Sequence, residues 1–179
     1  MTDAATLDYG VLTEPATLTI RRLLPGPVER VWSYLTDEKL RRQWLCAGPM
    51  ELKNGAEFDW VWRNDELTSP PGHRPEGFGS EHHMHGTITE VRAPYRLAYE
   101  WPGVGHVQFD LEPQGKDVLL TVVHSRVPNR KTARGVSAGW HAHLDLLATR
   151  LSGREPEPFW DALAKLRDVY ARRIPADQD

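Results

Sequence analysis

With a single cysteine, Cys46, in 179 residues, the chain cannot form an internal disulfide, and a reducing, cytoplasmic compartment is expected. No apolar run is long enough to cross a bilayer. Residues 1–10 have neither the basic start nor the apolar stretch of a signal peptide, so no membrane association is expected. An excess of one charge is also missing. Lys and Arg number 22 against 25 Asp and Glu, for a formal net charge of -3, and the basic residues are scattered. A chain without a basic stripe has little to neutralise phosphates with, so nucleic acid is not an expected partner. The glycine pairs Gly77/Gly79 and Gly103/Gly105 lack the third glycine and helix start of a phosphate-cradling loop. No serine or cysteine sits in a nucleophile motif, and Cys46 reads as a small apolar filler. Repeats and low-complexity tracts are absent.

What is present is 40% hydrophobic content and seven tryptophans, enough for one substantial core in one domain. The longest helical pattern runs over 129–154. Ala133, Val136, Trp140, Leu144, Leu147 and Leu151 share a face, with Asn129 or Thr132 as the N-cap and Gly153 as the stop. Its first half is thin. Ala133, Gly135, Ser137, Ala138, Gly139 and Ala142 surround the one bulky Trp140, and a thin helix facing a sheet leaves space to be filled or kept as a cavity.

Residues 1–15 read as a loose arm and 16–24 as a first strand ending at Pro25-Gly26. Pro27 opens a short helix with Val28, Val31, Trp32 and Leu35 as its stripe. Thr36 or Asp37 caps a second helix that carries Leu40 and Trp44. Period two then takes over. Phe58, Trp60 and Trp62 alternate with polar neighbours, and Asn54-Gly55 predicts a hairpin back to 49–53. Residues 67–79, rich in proline and glycine, predict a mobile loop of the kind found at a site mouth. Strands are expected at 81–91, 96–101, 106–112 and 118–127, close enough together for an antiparallel meander. A helix with Phe159, Leu163, Leu166 and Tyr170 at helical spacing fills 155–174, and 175–179 is a tail.

Histidines are the main polar candidates. His82, His83 and His85 cluster, but alternation sends His82 to the opposite face, and a metal site would need His124, His143 or Asp59 as well. Hydrogen-bonded side chains are the expected role, with no metal and no cofactor. His124 shares the face of Leu120 and Val122, and His143 lies beside the helical stripe; each must satisfy its polar atoms inside the protein or on a ligand.

The stretches PGPVERVWSYLTDEKLRRQWL, GTITEVRAPYRLAYEW, VLLTVVHSRVP and GWHAHLDLL occur in this order across 17–151. They resemble the START-like (SRPBCC) superfamily, and within it the family named for homology to activators of the ninety-kilodalton heat-shock-protein ATPase. The resemblance implies an α+β helix-grip fold of the Bet v type. A curved antiparallel sheet of six to seven strands would wrap the long helix, with a cavity that in related proteins holds lipids, hormones or polyketides. The domain would span 16–154, and the loop 69–79 and helix 159–173 lie outside the shared core. No catalytic set comes with the family.

A small apolar or amphipathic molecule is therefore the expected partner. Its candidate contacts are Phe58, Trp60, Trp62, His85, Tyr99, Trp101, Phe109, Val122, His124, Trp140 and His143. No catalysis is expected. The alternatives are a chaperone-binding module, which the family name suggests, and a cavity enzyme using His85, His124 or His143. The protein is a monomer, or a homodimer joined by the last helix or an open strand edge.

Overall fold

The computed structural model describes residues 9–13 and 16–176. Alternation builds one antiparallel sheet from β1 (Val11–Thr13), β2 (Thr17–Pro25), β3 (Glu57–Trp62), β4 (His82–Arg92), β5 (Arg96–Trp101), β6 (Gly105–Gln114) and β7 (Asp117–Ser125). Their spatial order is β1-β2-β7-β6-β5-β4-β3. In β2 and β7 every second residue, Leu18 to Leu24 and Val118 to His124, is buried. These two strands pair with Leu18 opposite His124 and Leu24 opposite Val118. A register shift between Ile88 and Glu90 places a bulge in β4, which bends the strand and increases its twist.

The four helices are α1 (Val28–Thr36), α2 (Glu38–Arg41), α3 (Arg130–Ser152) and α4 (Phe159–Arg173). α1 buries Val28, Val31, Trp32 and Leu35, the predicted stripe. Asp37 caps α2, accepting from the Leu40 N–H at 3.1 Å. α3 is capped by Asn129, which accepts from the Thr132 N–H at 2.8 Å. It stops at Gly153, whose φ of 66° suits a residue without Cβ. The fold is thus a curved seven-stranded sheet gripping a long helix, as the sequence pattern implied.

A relay of polar groups fastens α3 and α4 to the sheet. Arg22, buried on β2, donates to Asp145 Oδ1 at 2.9 Å. Asp145 also meets His141 Nε2 at 3.3 Å, and the other nitrogen of His141 lies 2.9 Å from the Tyr170 hydroxyl. That hydroxyl in turn accepts from the Gly10 N–H at 2.7 Å. Burial pushes the Asp145 carboxyl up, but the His141 hydrogen bond and the Arg22 charge outweigh it and leave the group below its usual range.

Three local expectations need correction. Asn54-Gly55 turns the chain but closes no hairpin, because residues 49–53 form no strand. The turn lies against β4 instead: Gly55 N–H donates to the Ile88 carbonyl at 2.7 Å, and Ile88 N–H to the Ala56 carbonyl at 2.8 Å. Asn54 Oδ1 accepts from Val91 N–H at 3.0 Å. A long sheet edge offers more backbone partners than a five-residue segment containing Pro49. The loop after β3 is tied to α4. Phe159 N–H donates to Thr68 Oγ1 at 2.9 Å, Trp160 N–H to the Pro71 carbonyl at 3.0 Å, and His73 N–H to Asp161 Oδ1 at 2.9 Å. Finally, the arm contributes β1, which pairs with β2 from Val11 to Thr13; residues 1–8, 14–15 and 177–179 lie outside the described residues. Among the described residues no helix is long and apolar enough to cross a membrane.

Candidate functional site: a tryptophan-walled cavity under the long helix

The thin half of α3 does leave a space. A Cβ built on Gly135 or on Gly139 meets nothing within 4 Å, so the helix presents bare backbone one turn apart. Opposite stand Trp62 at the end of β3 and Trp101 at the end of β5. Their rings are stacked 5.9 Å apart at an interplanar angle of 9°. Leu45, Val136, Trp140 and His143 complete the lining of a cavity of about 140 Å³. A dry apolar cavity of about 150 Å³ accommodates benzene, so this half-open space has about the volume of one ring, less than the lipids or polyketides that the resemblance placed in related proteins.

Trp62 and Trp101 face two ways. They also line a second space of about 340 Å³ with Asn64, Phe78, His82 and Trp160. Phe78 is held edge-on to Trp160 at 5.4 Å, and the Trp160 indole donates to Asp65 Oδ1 at 2.7 Å. The stacked indoles therefore stand between two half-open spaces, one under α3 and one bordered by the loop and α4.

Of the candidate ligand contacts, Trp62, Trp101, Trp140 and His143 border this space. Phe58, Trp60, Tyr99, Phe109 and Val122 are spent on the core beside it. Phe58 stacks on Trp60 at 3.8 Å, Tyr99 stands edge-on to Trp60 at 5.1 Å, and Phe109 meets Trp140 edge-on at 5.5 Å. Val122 is fully buried, paired across the sheet with Ile20 and Phe109.

His124 is consumed by the protein. Its Nδ1 accepts from the Trp140 indole at 3.1 Å, so its hydrogen sits on Nε2 and is donated to the Val104 carbonyl at 3.1 Å. Burial pushes its pKa down to about 4. His143 is different. Its Nδ1 lies 2.7 Å from the Trp44 carbonyl and must donate to it, while Phe159 packs on the ring at 4.8 Å. Burial also pushes this imidazole down to about 4, keeping it neutral at pH 7. Nε2 then carries a lone pair, and among the described residues nothing donates to it.

His85 does not belong to the cavity. Met84 pairs with Trp60 and points inward, so its neighbour His85, opposite Asp59, points out. There its Nδ1 meets Asp59 Oδ1 at 2.8 Å, and its side chain is half exposed. The bond with Asp59 raises its pKa. His83 is likewise outside, 3.3 Å from Glu81. Among the described residues no three His, Cys, Asp or Glu side chains converge as a metal would require.

Sequence reasoning missed Leu45, which lies beyond α2 in a segment without periodicity, and Val136. Gly135 and Gly139 were legible only as thinness in the helix. It also missed Arg41, buried with its guanidinium 4.8 Å over the Trp60 ring. Arg41 donates to the Thr36 carbonyl at 3.3 Å and also to the Gly48 carbonyl. Beside it Cys46 is buried, and burial pushes its thiol up to about 12 in spite of the Arg41 charge.

A protein from Bordetella parapertussis, encoded by gene BPP1335, is 31% identical, with 95% of this chain and 92% of that one aligned at a TM-score of 0.79. CalU16 from Micromonospora echinospora is 21% identical over 94% of this chain and 96% of its own, at a TM-score of 0.65. EF2215 from Enterococcus faecalis, a conserved protein of unknown function, is 18% identical over 92% and 88%, at 0.62. The latter two share the fold alone. None of the curated proteins compared matches the chain. The family model for Activator of Hsp90 ATPase homolog 1-like protein matches residues 25–152, which run from the end of β2 through α3. With the fold and the 31% identical relative in agreement, this chain belongs to the family of Activator of Hsp90 ATPase homolog 1-like proteins.

Proposed function

We propose that this protein is a non-catalytic binding protein for a small apolar or amphipathic molecule, held between the sheet and α3. The supporting observation is the pair Gly135 and Gly139 facing open space across from the stacked Trp62 and Trp101. Glycine inside a helix costs about 1 kcal/mol relative to alanine, and here nothing steric demands it. Gly135 is exposed and Gly139 half-buried, both on the rim of the half-open space, where larger side chains would take up its room. Catalysis has little support. His124 has both ring nitrogens engaged by the protein, and His85 faces solvent. A chaperone as partner rests on the family's name.

Native mass spectrometry of the purified protein, with denaturing extraction of anything released, tests the reading. A co-purified molecule lost from a Gly139→Leu variant supports it. A clean mass, together with recovery of a chaperone from the organism's own extract, would replace it.

A further inference from the structure

Resting on the cavity reading above, we infer that the occupant is a neutral aromatic molecule of about one ring carrying a hydroxyl or N–H, whose hydrogen is accepted by His143 Nε2. Three observations converge on this. The shape is set by size and walls: about 140 Å³ lined by Trp62, Trp101 and Trp140 suits a flat ring, which packs on indole faces or edges. Polarity is set by the tautomer. Because the Trp44 carbonyl can only accept, the bond at 2.7 Å fixes the proton on Nδ1 and leaves Nε2 as an acceptor. The need for a ligand donor follows from position. His143 lines the cavity and among the described residues nothing donates to Nε2, so in the empty site only water can serve it; an apolar occupant would displace that water and leave the lone pair unpaired.

The same reasoning excludes the conjugate class. A carboxylate brings only acceptors to an acceptor, and a neutral imidazole offers it no charge. Burial keeps His143 neutral well below pH 7, so the discrimination holds at ordinary pH.

The test compares phenol, toluene and benzoate by isothermal titration at pH 7. These probes share a ring and differ in donor, neither, and anion. Phenol is expected to bind about tenfold more tightly than toluene, and benzoate more weakly than both. His143→Asn keeps an N–H where Nδ1 donates to the Trp44 carbonyl and removes Nε2, so the phenol preference should vanish while toluene still binds. His143→Phe provides a second version of the same loss, and near-UV circular dichroism checks that each variant is folded. Equal affinity of phenol and toluene would overturn the role of His143 and leave the cavity reading standing. Tighter binding of benzoate would overturn it also. If no probe binds and native mass spectrometry finds no occupant, both readings fall.

Discussion

Trp140 on α3 donates its indole N–H to Nδ1 of His124 on β7 at 3.1 Å, joining helix and sheet through one buried hydrogen bond. Trp140→Phe keeps the ring and removes the donor, stranding a buried acceptor at a cost of about 1–3 kcal/mol. His124→Leu on the same background removes the stranded group. The double variant is therefore expected to be more stable than the two single losses added together, and urea unfolding of the four proteins measures that coupling.

Acid should weaken the fold through two histidines. His124 and His143 are neutral in the folded state down to about 4, whereas their ordinary value is 6.5. Above pH 6.5 neither state takes up the proton and their contribution is complete. Between pH 6.5 and 4 only the unfolded chain is protonated, so stability falls as pH drops, by about 3 kcal/mol for each histidine across that window. Urea midpoints at pH 7 and pH 5 should show the loss, and His143→Phe should make the dependence shallower.

Gly139→Ala should raise stability by about 1 kcal/mol, since the added methyl enters open space and alanine favours the helix. Gly139→Leu should keep the fold and fill the cavity, which thermal melting and loss of phenol binding would record together. A destabilised Gly139→Ala variant would mean that the space closes in solution.

Cys46 should be inert. A buried thiol with its pKa at about 12 supplies almost no thiolate at pH 8. Ellman's reagent should leave it unmodified in the native protein and react with one equivalent in 6 M guanidinium.

Legibility in the sequence followed locality. Both ends of α3 could be read because Asn129 and Gly153 act on their own neighbours. The inward faces of β3, β5, β6 and β7 could be read because alternation needs only a few residues. Asn54-Gly55 misled because its signal is local while its partner, Ile88, is not. His85 misled for a related reason: its neighbours give it a side, and only its register with Asp59 says which side is outside. No pattern distinguishes an aromatic that fills a core from one that borders a void. Tyr99 and Trp101 share a face of β5, yet Tyr99 is packed and Trp101 lines the cavity. That difference belongs to what Gly135 and Gly139 leave empty on the other side.

The pairing of β2 with β7 also dictates an order of assembly on the ribosome. The meander from β3 to β7 can zip strand by strand as it emerges, each strand meeting the one just before it. β2 emerges early, but its long partner is β7, and Leu18 cannot meet His124 until nearly the whole sheet has left the exit tunnel. The loop this closes is long, and contacts so distant in sequence make folding slow. During that interval the edge of β2 is unpaired, and Leu18, Ile20 and Leu24 stay uncovered until α3, which follows β7, packs on the sheet, so the nascent chain is most exposed to aggregation before β7 and α3 have both emerged.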